Sequence, residues 1–563
     1  MTGIAAELEK ALTLHRAGQL DEAIAAYRRV LDRHPRHAPT LHCLGIGLAQ
    51  GHHYKESVSA LAAALEGQPD DPAIRVHYGN ALWSLGRPDD ALRSYDAAIA
   101  LDPASVEAHY NRGTVLAGTG HPELALQCFD RALALAPAHV DAHNNRGNAL
   151  TDLRRHEEAL ESFERALELR RDFPDALINC SIALRALHRY DESLISCEKA
   201  LALAPGNAQA HASRGAVLAS LARYDEALGS YDRALGIDPA LVEARWNKSL
   251  LALLRGNFTE GWALYESRLD MRSLHLVRRY PDRPMLKVGD DVDGKVILLY
   301  AEQGYGDTIQ FCRYASLLRD QGATIVLEVP GSLKALIQSL SGSITVVAQG
   351  EALPTFDLHC PLPSLPAALG TELKSIPGHT PYLAPDLDHM HRWATRLEPR
   401  RAFRVGLAWS GKPTHRNDAN RSIPFADLAS LRECGVELIS LQKEVRESDA
   451  AALTGLCLQH FGADLADFSD TAALISQLDL IISVDTAVTH LAGALGKPVW
   501  VLLPLVPDWR WMLNRQDSPW YPTARLFRQT AMGRWDEVID SVRQELDRLV
   551  AAQHAGWHRS AAI

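Results

Sequence analysis

Through its first half the chain repeats one pattern of small, apolar and polar positions every 34 residues. Small residues hold one register at Gly45, Gly79, Gly113, Gly147, Ser181 and Gly215. A second register runs Ala23, Ser57, Ala91, Ala125, Ala159, Ser193 and Ala227, and a third Ala64, Ala98, Ala132, Ala166, Ala200 and Ala234. Prolines close the units at Pro35, Pro69, Pro103, Pro137, Pro205 and Pro239, with Arg171 in the skipped position. Between these markers the apolar side chains fall at helical spacing: Tyr231 and Leu235 share one face. Small residues let paired helices approach closely, and proline cannot continue a helix. One such unit cannot bury its apolar face, so the units must stack. Seven units run from 4–37 to 208–241. A divergent eighth, at about 242–273, carries Trp246, Asn247, Trp262 and Tyr265, aromatics suited to a cap or a joint.

The pattern changes after Pro281-Asp282-Arg283-Pro284. Lys295–Ala301 is a short continuous apolar run, the signature of a buried parallel strand. A Gly-rich turn leads into a predicted helix over 307–319, followed by a strand (Thr324–Val329), a helix (Ser332–Leu340) and a strand (Ile344–Ala348). A second series sets strands at Phe403–Trp409, Val436–Leu441, Leu478–Val484, Pro498–Leu503 and Arg525–Phe527. Its helices fall at Phe425–Glu433, Thr471–Gln477, Asp485–Leu495 and from Trp535 to about Ala552. The fold class is therefore an α-solenoid followed by α/β, with two Rossmann-like units in the GT-B arrangement and a ligand cleft at the carboxyl ends of the strands. The expected domains are 4–273 (repeats), 274–294 (linker), 295–390 and 400–553 (the two Rossmann-like units).

Composition narrows the function classes. Hydrophobic residues make up 47% and charged residues 23%, and the net charge of −11 gives no reason to expect nucleic acid or an anionic membrane as partner. No stretch reaches the roughly 18 apolar residues of a membrane span. The start of the chain lacks a basic segment and an apolar core, so no signal peptide is expected. The eight cysteines form no CxxC pair and read as buried hydrophobes of a reducing compartment. The 24 histidines include no HExxH, so no metal site is expected, and the expected location is the cytoplasm.

The repeats resemble the tetratricopeptide family, which implies a concave face that binds a polypeptide. The sixth position of successive units carries Asn111, Asn145, Asn179 and Asn247. An asparagine amide can pair with a peptide C=O and N–H together, so these residues are candidates for holding a polypeptide backbone; ordinary repeat chemistry is the alternative. The pattern resembles the asparagine ladder of the protein O-GlcNAc transferases, although their HxGYxSxDFxxH-like signature is missing here.

In the second half, Gly304-Tyr305-Gly306-Asp307 resembles the GxGD turn of the heptosyltransferases, glycosyltransferase family 9. Asp485-Thr486-Ala487-Val488-Thr489-His490-Leu491-Ala492-Gly493-Ala494-Leu495-Gly496-Lys497-Pro498 resembles their DTGxxHLAAALGxP segment. This resemblance spans about residues 295–530 and implies a nucleotide-diphosphate sugar as substrate, without cofactor. It carries donor binding to Gly304, Gly306, Asp485, Thr486 and His490, with hydroxyls at Thr486 and Thr489 near a helix start that favours phosphate. A helix cap at Asp485 and simple packing of His490 are the alternatives. Ser410, Gly411 and Lys412 end a strand where the family binds phosphate, and Gln442 ends the next, where it contacts the nucleoside. Arg421 aligns with a basic residue that serves the departing diphosphate, or belongs to a solvated loop. Asp307 is either the base that deprotonates the acceptor or the N-cap of its helix. Arg510, between Trp509 and Trp511, is placed to meet phosphate while the rings stack on a sugar or base, or the group packs against the C-terminal helix. The implied activity is an inverting, metal-independent glycosyl transfer to an acceptor recruited by the repeats, with protein among the candidate acceptors; the competing reading is a non-catalytic scaffold with a degenerate transferase half.

Overall fold

The computed structural model describes residues 2–271, 274, 276–302, 304–340, 343–415, 417–455 and 458–560. Residues 272, 273 and 275 at the expected end of the repeats, Gln303 of the Gly-rich turn, and Cys457 lie outside the described residues. The chain divides into two compact units, Met1–Val217 and Leu218–Ile563.

The first unit is a stack of helix pairs, of 13 and 14 residues after a first helix of 15, such as Pro72–Ser84 with Pro88–Leu101 and Val140–Asp152 with His156–Leu169. The small residues sit where the two helices of a pair touch. A Cβ on Gly79 would stand 2.6 Å from Tyr95, and one on Gly147 would stand 2.4 Å from Phe163, so any side chain there would force the pair apart. The alanines of the second register, Ala23, Ala91, Ala125 and Ala159, are fully buried. Where serine replaces them its hydroxyl is satisfied across the pair: Ser57 donates to the Gly45 carbonyl at 2.7 Å and Ser193 to the Ser181 carbonyl at 2.6 Å. Pro35, Pro69, Pro103 and Pro137 stand just beyond the helix ends at Arg33, Gly67, Leu101 and Leu135.

The second unit begins inside the repeats. Its helices Tyr224–Ile237, Val242–Leu254 and Phe258–Tyr265 precede two parallel sheets. The first holds β1 (Val296–Tyr300), β2 (Thr324–Val329), β3 (Thr345–Ala348) and β4 (Leu358–Pro361) in the order β3-β2-β1-β4. The second holds β5 (Arg404–Ala408), β6 (Glu437–Ser440), β7 (Gln459–His460), β8 (Leu480–Val484), β9 (Val499–Leu503) and β10 (Ala524–Arg528) in the order β10-β9-β8-β5-β6-β7. Each sheet thus starts in the middle and winds outward on both sides, which places a crevice beside its first strand. β5 and β8 are buried along their whole length, although Arg404 and Ser483 interrupt their apolar runs; Arg404 pairs with Glu437 at 2.8 Å and the Ser483 hydroxyl donates to the Val484 carbonyl at 2.7 Å. The C-terminal helix Trp535–Ser560 closes the second sheet through Trp535, Val538, Ile539, Val542 and Leu546.

Several details depart from the sequence reading. The helix expected over 307–319 is two helices, Tyr305–Phe311 and Tyr314–Asp320. Between them Arg313 turns its guanidinium back, and Nε donates to the Gln310 carbonyl at 2.8 Å. Phe425–Cys434 winds as 3-10 turns, and β4 and β7 are too short to stand out as apolar runs. The segment expected as a linker joins the first sheet: Leu286 N–H donates to the His359 carbonyl at 2.9 Å. The divergent last repeat docks on the α/β part, where Trp262 Nε1 donates to the Thr371 carbonyl at 3.0 Å. None of the described helices is long and apolar enough to cross a membrane. Cys128, Cys180, Cys197, Cys312, Cys360 and Cys434 are buried free thiols and Cys43 is half-buried.

Candidate active site

The carboxyl ends of β1, β5, β6 and β8 bring most of the expected residues together. After β1, Gly304 is the N-cap of the helix Tyr305–Phe311, so Asp307 lies in the first turn and is not the cap. Its carboxylate pairs with Arg510, which comes from the turn after β9. Burial pushes the Asp307 carboxyl above the usual range, and Arg510 is the leading force against it. Arg510 also donates from Nη1 to Asp508 at 2.8 Å and from Nε to Gln310 Oε1 at 2.6 Å. The neighbouring Glu302 is gripped by the fully buried Arg268, at 3.0 Å from Nε and 2.9 Å from Nη2. Arg268 follows the last repeat helix, so the divergent repeat supports the Gly-rich turn.

After β8, Thr486 stands at the N-cap position of the helix Ala487–Ala494 without a side-chain cap bond, its hydroxyl lying 3.3 Å from that of Ser483. Asp485, before the cap, does not act as the cap. Burial, then Asp508, raises its carboxyl to about 6, with Arg421 opposing. Thr489 differs from expectation: its hydroxyl is fully buried and donates to the Val484 carbonyl at 2.8 Å, which takes that donor out of ligand chemistry. His490 is buried, with Nδ1 2.9 Å from the Tyr521 hydroxyl and Nε2 3.8 Å from Asp485. Burial, then the charges of Arg510, Arg313 and Arg421, hold the imidazole well below its ordinary pKa, so it is neutral at pH 7. Gly306 lies directly on this ring, since a Cβ there would stand 2.7 Å from His490 Cδ2.

After β5, Ser410 and Gln442 hold one another: Gln442 Nε2 donates to Ser410 Oγ at 3.0 Å, and Ser410 N–H to Gln442 Oε1 at 3.3 Å. Gly411 N–H donates to Ser422 Oγ at 3.2 Å. A Cβ on Gly411 would fall 2.4 Å from Arg421 Nη2, so glycine is what lets Arg421 pass. Arg421 Nη1 reaches across to the Asp485 carbonyl at 2.7 Å, tying the β5 turn to the β8 turn. It is therefore a largely buried strut between two strand ends and not a solvated loop residue. Lys412 stands exposed. The arrangement collects guanidinium groups, backbone N–H groups and a helix start around two carboxylates, a setting that can hold an anion beside a proton acceptor.

The tryptophans around Arg510 are buried packing elements, but not against the C-terminal helix. Trp509 meets Trp262 at a ring-centroid distance of 5.2 Å, and Trp511 stacks on His490 at 5.7 Å. The grip of Arg510 on Asp307 and the role of Arg446, which holds Asp418 and the Gly411 carbonyl, were missed in the sequence. The Trp-Arg-Trp alternation was the one available signal for Arg510, and Arg446 carries none. Away from these strand ends, His389, Asp467 and Asp470 bring ligand-type atoms within 4.8 Å of one another. Asp470 is already taken by Arg392 and Trp393, and Asp467 caps a helix.

In the first unit the candidate asparagines donate to polar side chains of the preceding repeat. Asn111 Nδ2 donates to Asn80 Oδ1 at 2.9 Å, Asn145 Nδ2 to the Tyr110 hydroxyl at 3.0 Å, and Asn179 Nδ2 to Asn144 Oδ1 at 3.0 Å. Each donor thus keeps a second amide hydrogen. Asn247, in the second unit, is half-buried on the helix Val242–Leu254.

Residues 5–37, 79–120, 110–176 and 181–242 match tetratricopeptide repeat families, and residues 426–502 match glycosyltransferase family 9 (heptosyltransferase). Protein FlbA of Caulobacter vibrioides is 27% identical over 333 residues, which take in 54% of this chain and 55% of FlbA, so the chain spans about half of that relative. The CTR9 homolog of Arabidopsis thaliana is 34% identical over 94 residues, 16% of this chain and 8% of that protein. A tetratricopeptide repeat protein from Parabacteroides merdae has a crystal structure with a TM-score of 0.38 and 16% identity, covering 45% of this chain and 99% of the other. The chain joins tetratricopeptide repeats in its N-terminal part to a glycosyltransferase family 9 (heptosyltransferase) domain in its C-terminal part.

Proposed function

We propose that the chain moves a sugar from a nucleotide-diphosphate donor to a hydroxyl of a polypeptide recruited by the repeats, with inversion at the anomeric carbon. The observation that carries this reading is the meeting of Asp307, Arg421, Asp485 and His490, drawn from both sheets, at the strand ends where open α/β folds bind ligands. In the transfer, the acceptor oxygen forms a bond to the anomeric carbon as its proton passes to the Asp307 carboxylate. The bond from that carbon to the diphosphate breaks, and the electron pair leaves with the phosphate oxygen. Arg421 and the start of the helix Ala487–Ala494 meet the charge that develops there, the part a divalent ion plays in other transferases. Ser410 and Gly411 border the phosphates, and Gln442 the nucleoside. The neutral His490 offers a hydrogen bond without adding charge. Asn111, Asn145 and Asn179 retain amide hydrogens for the carbonyls of an acceptor chain.

The test is a panel of UDP-, GDP-, ADP-, dTDP- and CMP-sugars added to the full-length protein, read as a shift of the unfolding midpoint. One nucleotide class raises the midpoint in the wild type and in Asp307→Asn, but less in Arg421→Met. A panel without any shift overturns the transferase reading.

A further inference from the structure

Arg510 grips the helix of Asp307 at two points. Nη2 pairs with Asp307 and Nε donates to Gln310 Oε1 at 2.6 Å, and these two residues stand one turn apart on the same helix. Nη1 is anchored on Asp508 at 2.8 Å, within its own turn after β9. From behind, the guanidinium carbon lies 4.4 Å from the centre of the Trp509 ring. Trp509 in turn is wedged by Trp262, Tyr265 and Trp520. A planar fork with three directions of donation fits this seat, and a lysine ammonium does not.

We propose that Arg510 is a positioning residue for the transfer: braced in the second α/β half, it keeps the Asp307 carboxylate charged and aimed to take the acceptor proton. The proposal rests on the reading of Asp307 as the base. The groups facing Asp307 are few. Asp508 and burial favour its protonated form, while Arg510, the Gly304 backbone and the more distant Arg268 favour the carboxylate. Glu302 and the buried Tyr265 also lie within electrostatic reach of it. Loss of Arg510 removes the leading cation and leaves burial and Asp508 largely unopposed.

Two measurements on the full-length protein test this. The first needs no substrate: unfolding midpoints of wild type, Arg510→Gln, Asp307→Asn and the double variant from pH 5 to 8.5. In Arg510→Gln the carboxyl holds its proton to higher pH in the folded state. Its midpoint therefore falls relative to wild type as pH rises, by about 2 °C or more over the range, and Asp307→Asn removes that slope. Parallel curves for all four proteins overturn the proposal. The second is nucleotide release, measured against pH, from whichever sugar nucleotide of the panel is turned over. Arg510→Gln moves the acid limb up by about one pH unit or more, an approximately tenfold loss at the acid end with a much smaller loss at pH 8.5, and Arg510→Lys recovers part of it. A uniform loss at all pH values, or a higher KM with an unmoved acid limb, marks Arg510 as a structural or phosphate-binding group and contradicts the proposal. If no sugar nucleotide is turned over, the transferase reading fails, while the unfolding comparison still decides whether Arg510 keeps Asp307 charged.

Discussion

Gly306 and His490 touch: a Cβ on the glycine would lie 2.7 Å from Cδ2 of the ring. The Gly-rich turn after β1 and the helix after β8 follow strands of different sheets, so this contact brings the two strand ends together at the candidate site. His490 cannot retreat easily, because its other side is held by the Tyr521 hydroxyl at 2.9 Å and covered by Trp511.

Gly306→Ala therefore forces the turn and the helix apart. The expected cost is about 1–3 kcal/mol of stability, together with weaker donor binding. Gly304→Ala is the control. The nearest atom to a Cβ there is an Asp307 carboxylate oxygen at 3.7 Å, and φ is −67°, so the change stays within about 0.5 kcal/mol. Denaturant unfolding of both variants checks the contrast; equal losses contradict it.

This contrast shows what the sequence could and could not tell. The two motifs were legible as motifs, and the largely apolar runs of β1, β5, β8 and β9 were legible as strands because buried parallel strands are nearly continuously apolar. The 34-residue register was legible because each glycine faces a large side chain of its own pair, Gly79 against Tyr95 and Gly147 against Phe163. The pairing of Asp307 with Arg510 was not legible, since neither periodicity nor spacing reports which turns from two sheets meet. The same holds for the engaged hydroxyl of Thr489 and the helix break at Arg313. Both depend on where a side chain finds a carbonyl.

Asp485 gives the unit a pH signature. Burial and Asp508 raise its folded pKa to about 6, above the roughly 3.9 of an unfolded aspartate. The folded state thus binds the extra proton between these values. The contribution to stability is complete below about pH 4 and is lost as pH rises through about 6. Asp485→Asn, which keeps the shape without the charge, should gain stability relative to wild type as pH rises from 4 to 8, by about 2 kcal/mol at the upper end. A wild-type-like pH profile in the asparagine variant would count against the assigned ionisation.

The repeat asparagines should differ in cost. Asn80 Oδ1 accepts from Tyr95 at 2.6 Å as well as from Asn111, so Asn111→Ala leaves it satisfied. Asn179→Ala leaves the Oδ1 of the buried Asn144 without its donor. The expected losses are about 0.5 kcal/mol for Asn111→Ala and about 1–2 kcal/mol for Asn179→Ala. Unfolding curves of the two variants decide it, and the reverse order contradicts the hydrogen-bond assignment.

Arg421 is expected to matter more for the donor than for the fold. Arg421→Met keeps much of the side-chain volume but loses the charge and the hydrogen bond to the Asp485 carbonyl. Affinity for the nucleotide diphosphate of the active donor class should fall about tenfold or more by calorimetry. An unchanged affinity removes Arg421 from the phosphate site.

The most direct measurement is sugar transfer itself. Full-length protein, a labelled donor of the class that binds, and protein extract as acceptor source are incubated with wild type or Asp307→Asn, and labelled protein is counted. The expected result is label on protein with the wild type and a loss of about a hundredfold or more with Asp307→Asn, while donor binding is retained. Equal labelling by both, or donor binding without any transfer by the wild type, contradicts the assignment of Asp307 as the base of an active transferase.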